Sequence, residues 1–390
     1  MQGSEGRILT THAGSLPRSQ TLLELLVRKS RREAIDPAAF AEAVEQSTQH
    51  VVARQLDAGI DVGNNGEQPR ESFFTYVQHC MSGFGEIGPR PVMRDIIHFQ
   101  SFLHAKLPDF SRTMVSLGQT PRAVGEVRYV DRSIIEQECA DFRRIANAQP
   151  SRFVESFMTA PSPGIIALAM RNEFYPSTSD YLAAVAEALR TEYEFIVAQG
   201  YILQIDAPDL AMERHTAYAD RPLAEFVAFV DQTIAAINRA LTNIPRDRVR
   251  LHVCWGNYEA PHQFDIPLDD ILPHLYAAKV GALMLSMANP RHEHEYRCFT
   301  RHPLPKDLRL IVGAIDTTTN YIEHPEVVAD RIERVATVVG DAHRVLAGTD
   351  CGFATSAGLG EVAEEVVWEK LRALRAGADV ATRRLFGARP

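Results

Sequence analysis

The sequence predicts an α/β fold, a (β/α)8 TIM barrel with a long insertion after its second strand. Two observations carry that expectation. Short apolar runs alternate with longer stretches of helical periodicity, the pattern of βα units around a parallel sheet. Eight such runs occur, at 7–11, 60–63, 153–159, 201–205, 249–253, 282–287, 308–314 and 344–348, and eight parallel strands each followed by a helix make a barrel. The 390 residues are 45% hydrophobic, enough to bury one large core, so a single barrel domain is expected over 1–390.

Taken in order, the first run leads into Thr11-His-Ala-Gly-Ser-Leu-Pro17 and the second into Asn64-Asn-Gly-Glu67. The stretch 68–150 is too long for a simple βα connection. Its Gly88-Pro-Arg-Pro91 and the alternating run 123–130 predict helix plus a hairpin, lying as a lid over the barrel mouth or packed against its side. After the third run, Ser177-Thr-Ser-Asp180 offers capping oxygens, apolar residues follow at helical spacing, and Gly200 suits a left-handed stop before the strand 201–205 and Asp206. The last four runs end at His252 and Cys254, at Ser286, at Asp316-Thr-Thr-Thr-Asn320 and at Thr349-Asp-Cys351.

The net charge of −9, without a dense basic run, argues against a nucleic-acid partner and for a small-molecule one. No run approaches eighteen apolar residues and the start lacks a signal-peptide pattern, so a cytoplasmic protein without a membrane partner is expected. Five cysteines scattered through a long chain make a poor disulfide framework. Cys80, Cys139 and Cys298 have no partners at ligand spacing and read as bystanders.

Barrel enzymes place their chemistry at the C-terminal ends of strands. Many of the polar residues there are also good helix caps, which is the competing reading for Asp316 or Thr319. Capping does not account for His252, Cys254 and Cys351. Residues two apart in a strand face the same side, so His252 and Cys254 offer a nitrogen and a sulfur to one point, and Cys351 can reach it from the eighth strand end. Three such ligands with an open fourth position suit a catalytic zinc. Buried thiols and a hydrogen-bonded core histidine are the alternative.

The motifs Thr11-His-Ala-Gly-Ser-Leu-Pro-Arg18, Gly66-Glu-Gln-Pro-Arg70, Gln204-Ile-Asp206, His252-Val-Cys254 and Asp350-Cys-Gly352 together resemble the catalytic barrel of cobalamin-independent methionine synthase. The chain is more closely similar to the one-barrel relatives that include epoxyalkane:coenzyme M transferase, within the uroporphyrinogen decarboxylase-like superfamily. That resemblance implies Zn2+ on His252, Cys254 and Cys351, a small thiol substrate held as thiolate, and a substrate grip by Ser15, Glu67 and Asp206. Three positions depart from the family pattern. Ser286 stands where the synthase has a glutamate ligand, Thr318 where it has an acid histidine, and no tryptophan lies near Thr159-Ala-Pro-Ser-Pro-Gly164 for a folate to stack on. A donor other than methyl-folate is therefore expected, an activated carbon electrophile that Ser286 and Thr318 could assist.

His12 is a further candidate for substrate binding, with a supporting or capping role as its alternative. Arg291-His-Glu-His-Glu295 reads as a solvated first helical turn, and Asp350 as a group that orients the ligands or supports the strand. Two other functions stay open from the sequence: a metal-independent decarboxylase or lyase using Asp206 or Asp316 with Arg18 and Arg70, and a noncatalytic zinc- or thiol-binding relative. A homo-oligomer is possible.

Overall fold

A computed structural model describes residues 1–112, 115 and 118–387. Nine strands form among them: β1 Val62–Gly63, β2 Phe84–Pro89, β3 Gln119–Ala123, β4 Glu155–Pro161, β5 Ile202–Asp206, β6 Val249–Val253, β7 Ala282–Ser286, β8 Arg309–Ile315 and β9 Val345–Thr349. Seven of them make one parallel sheet in the order β1-β4-β5-β6-β7-β8-β9, while β2 and β3 pair antiparallel on their own. Helices Thr178–Ala198, Leu223–Ala240, Leu268–Leu275 and Pro325–Val339 connect successive strands of the large sheet, as parallel pairing requires. The expected signals work locally. Ser177 Oγ accepts from Asp180 N at 3.1 Å, and Gly200 takes a φ of 88° where that helix stops.

Side chains alternate across the strands. Leu283, Leu285, Leu310, Val312, Val345 and Ala347 pack into the cluster that includes the helices. Met284, Ile311 and Leu346 join Val62, Phe157, Ile202 and the N-terminal Leu9 and Ala13 in a second, inner cluster. Residues of both edge strands, β1 and β9, belong to that inner cluster, so the sheet curls around it.

Seven of the eight expected strands lie within two residues of their predicted bounds, but 7–11 is not a strand. It lies between the sheet's two edges, with parallel bridges from Thr10 to Ala347 and from Thr11 to Val62. The ladder stays this short because three successive amides go to side chains: Ile8 N to Thr382 Oγ1, Leu9 N to Ser4 Oγ and Thr10 N to Asp61 Oδ2. Between β1 and β4 the chain builds β2, helices Arg94–His98 and Gln100–Arg112, β3 and helix Ser133–Ala148. The hairpin strand falls at 119–123 rather than 123–130. Val124 N and Gly125 N both turn to Gly83 O, which ends the pairing with β2. No helix among the described residues is long and apolar enough to cross a membrane.

Candidate metal centre and its two cavities

The pleat of β6 sends Arg250, His252 and, just past the strand, Cys254 to the same side, and Cys351 arrives two residues beyond the end of β9. A nitrogen of His252 and the two sulfurs lie within 4.8 Å of one another, all three residues buried, and no other group of this kind occurs among the described residues. Two sulfurs about 2.3 Å from a tetrahedral metal would stand about 3.8 Å apart; Cys254 Sγ and Cys351 Sγ are 3.7 Å apart. The donor set and its spacing therefore fit a metal ion.

The protons fit as well. His252 Nδ1 donates to Asp206 Oδ1 at 3.0 Å and Nε2 donates to Asp350 O at 3.2 Å. A carboxylate and a carbonyl can only accept, so without a metal the ring holds both protons. Burial pushes its pKa down, but the Cys254 sulfur and Asp206 outweigh that and hold it at about 10. The hydrogen bond from Cys351 lowers the Cys254 pKa and raises that of Cys351. The site thus already stabilises one thiolate.

Asp350, beside Cys351, holds the loop after β7 in place. Its Oδ1 accepts from Met287 N and Ala288 N at 2.8 and 2.9 Å, and its Oδ2 from Asn289 N at 2.7 Å. Burial and the nearby Asp316 push its pKa up to about 7. Gly313 makes room for it, since a Cβ there would come within 2.2 Å of Asp350 Oδ1.

The His252, Cys254 and Cys351 cluster opens onto a cavity of about 380 Å³ that Ser15, Glu67, Asp206, His252, Cys254 and Cys351 all line. Its far walls are apolar, built by Phe73, Met93, Ile96 and Leu103 from the segment after β1 and by Met212 and Leu359. Glu67 is buried, takes a left-handed φ of 57°, and leaves Oε2 without a hydrogen-bond partner. A non-glycine residue held in that region marks a conformation fixed by its surroundings. Here Asn65 Oδ1 accepts from Glu67 N at 3.0 Å, and Gly14 leaves the space its carboxylate needs. Burial, with Asp206 second, pushes the Glu67 pKa up to about 7.

Ser286 and Thr318 sit elsewhere. They line a cleft of about 20 Å³ on another side of Cys351, with Asp316 and Asp350. Ser286 Oγ donates to Asp350 O at 2.8 Å, and the Thr318 hydroxyl donates to Asp316 Oδ1 at 2.9 Å. His12 lines neither cavity. It is buried against Phe157, with Nε2 2.8 Å from Gln55 Oε1 and Nδ1 accepting from Gly14 N, and burial pushes its pKa down to about 4.

The arginines proposed for binding an acidic substrate line neither cavity, and most of their donors are taken within the protein, with Arg18 Nε and Arg70 Nη2 left without a partner. Arg18 donates to the carbonyls of Ala354, Glu67 and Arg70, and Arg70 donates to Glu138 and to Thr159 O and Oγ1. The expected solvated turn at 291–295 is only half so. His292 and Glu295 face inward as a hydrogen-bonded pair at 3.0 Å, and His292 also meets Asp265 and stacks on Trp255. One helical turn separates the pair and puts both on the buried side. Cys80, Cys139 and Cys298 are buried free thiols whose pKa values burial pushes up.

Sequence reasoning gave no role to Arg250, nor to Gln204, which stood only within the motif Gln204-Ile-Asp206. The signal was the same period of two that found His252 and Cys254, carried one step further back along β6 and onto the adjacent β5. The apolar far wall had no comparable signal.

The sequence model of a family described as "Cobalamin-independent synthase, Catalytic domain" matches residues 95–375. The methionine synthase of Sulfolobus acidocaldarius is 24% identical over 88% of this chain and 85% of its own. The 2-hydroxypropyl-CoM lyase of Xanthobacter autotrophicus is 25% identical over 100% of this chain and 99% of its own. Among solved structures, the B12-independent methionine synthase of Shewanella sp. W3-18-1, in complex with selenomethionine, superimposes with a TM-score of 0.75 at 21% identity, covering 98% of this chain and 100% of that one.

Proposed function

The chain belongs to the cobalamin-independent methionine synthase catalytic-domain family, and from that premise we propose that it is a zinc-dependent transferase that moves a methyl or alkyl group from a carbon electrophile to a small thiol. The observation that carries this reading is the convergence of His252, Cys254 and Cys351 on one point at the floor of a 380 Å³ cavity. Zinc bound there would keep the substrate sulfur deprotonated at neutral pH while two cysteine ligands balance its charge. Glu67 and Asp206 would take an ammonium group of the thiol substrate, Glu67 through its unpaired Oε2. Ser15 lies against Gly352, beside Cys351, and would position the substrate's other end. His12 would support the grip from below, through Gln55 and Gly14.

The donor would enter along the apolar walls. Of the described lining residues only Arg90 is a guanidinium, and it is bonded to Glu213 at 2.6 Å, so nothing there invites a polyanionic tail. A small uncharged or sulfonium carbon fits better. Ser286 and Thr318 would act from the cleft behind Cys351, through their hydrogen bonds to Asp350 O and Asp316, rather than touching the donor. In the same reading the segment 7–11 completes an eight-stranded barrel, and 68–150 is an insertion that walls the mouth. The test is thiol consumption by zinc-loaded and metal-free protein given homocysteine with, in separate reactions, an epoxide, a conjugated alkene, a sulfonium or methyl-tetrahydrofolate. Zinc-dependent consumption is expected with one of the first three and no methionine from the last. Methionine from methyl-tetrahydrofolate would overturn the donor assignment, and consumption independent of zinc would overturn the metal's role.

A further inference from the structure

We propose that Arg250 is a positioning residue, which fixes the metal-binding face of His252 through Gln204 and Asp206. The inference rests on the metal-site reading above and adds to it a determinant two residues from the nearest ligand. The starting observation is a guanidinium that is fully buried in the protein interior, 3.6 Å over the ring of Phe157, and whose hydrogen bonds among the described residues go to an amide, a hydroxyl and a carbonyl rather than to a carboxylate.

Its hydrogen bonds say what it does. Nε donates to Gln204 Oε1 at 2.7 Å, while the two terminal nitrogens donate to Thr11 Oγ1 and His12 O at 3.0 and 2.9 Å. Gln204 and Arg250 are register partners on β5 and β6, and so are Asp206 and His252. Because the Gln204 oxygen must accept from Arg250, only its NH2 end can face the other way. That end donates to Asp206 Oδ1 at 2.7 Å and to Ala13 O at 2.5 Å. Asp206 Oδ1, held from one side by the amide, accepts the Nδ1 proton of His252 from the other. The imidazole is thereby left with Nε2 as its metal-facing nitrogen. Reversing the amide would point an oxygen at a carboxylate and break the chain, and Arg250 is the group that forbids the reversal. The same guanidinium ties down Thr11 and His12, so the ligand on β6 and the segment carrying Ser15 share one anchor.

Two variants separate this role from general support of the fold. Gln204→Glu keeps an acceptor for Arg250 and the same shape but removes the donated protons. Arg250→Lys keeps the charge but cannot reach three acceptors in a fork. Each is expected to weaken zinc affinity by about tenfold in competition with a chromophoric chelator, the lower end of the effect of losing an outer-shell partner. The visible bands of the cobalt-loaded protein should shift, and thermal melting of the metal-free form should stay close to that of the parent. Folded variants with unchanged affinity and unchanged cobalt spectra would overturn the proposal. Should neither variant fold, the parent protein still decides: the Gln204 side-chain amide should exchange slowly with solvent by NMR, and exchange at the rate of an exposed glutamine contradicts the chain. Failure of the parent itself to bind zinc would strike the underlying reading instead.

Discussion

Two spaces meet at Cys351, and they differ in almost every respect. The larger has about 380 Å³ of space, apolar far walls, and two carboxylates, Glu67 and Asp206, near the candidate metal ligands. The smaller holds little more than a water, and its hydroxyls and carboxylates are largely bonded to one another or to backbone. In the proposed function, chemistry on a substrate belongs to the first, and the second supports the candidate ligands from behind. The lesson is that a residue's place at a strand end does not say which space it faces. Ser286 and Asp206 both end strands, yet one ties down Asp350 and the other lines the larger cavity.

The comparison breaks first, and most visibly, at the residue the two spaces share. Cys351→Ser should lower zinc affinity by more than about a hundredfold, since a neutral hydroxyl replaces a thiolate, while circular dichroism reports an intact fold. Full zinc occupancy by elemental analysis would remove Cys351 from the ligand set.

A smaller effect belongs to the large cavity alone. Glu67→Gln should raise the KM for homocysteine by about tenfold, the loss of one charge-assisted hydrogen bond, with zinc content unchanged. Unaltered KM would take Glu67 out of the grip. The pH dependence sharpens this. With a pKa near 7, Glu67 is largely protonated at pH 6, so homocysteine binding should tighten as the pH rises through 7 in the parent and lose that dependence in the glutamine variant. Stability runs the opposite way. The folded carboxyl keeps its proton where the unfolded one has lost it, so stability falls as the pH rises from about 4.5 to about 7, by on the order of 3 kcal/mol at most. Urea unfolding of metal-free protein across that range should show a shallower decline for Glu67→Gln.

Much of this layout was legible in the sequence, for a definite reason. Strand period and strand order are properties of short segments, so 249–253 and 344–348 bring His252, Cys254 and Cys351 to strand ends that can converge, while their role as ligands came from the family resemblance. The first strand misled because its amides go to Thr382, Ser4 and Asp61, partners far away in the chain or in side chains that no periodicity reports. Likewise the apolar wall from Phe73 to Leu103 comes from an irregular stretch, where no period links a residue to the direction it faces. The inward turn of His292 and Glu295 was hidden among charges that looked solvated, because only two of the five residues face the interior.

The smallest expected effect lies in the narrow cleft. Thr318→Ala should change the KM for homocysteine by less than about threefold, since its hydroxyl serves Asp316, and a kcat loss of tenfold or more would show that the cleft takes part in the chemistry. The central claim is that the triad holds zinc with a position open to the substrate sulfur, and X-ray absorption at the zinc edge tests it most directly. Zinc-loaded protein should show two sulfur neighbours from Cys254 and Cys351, and adding homocysteine should bring a third at about 2.3 Å. A zinc environment that homocysteine leaves unchanged, or one without protein sulfur, would contradict the account.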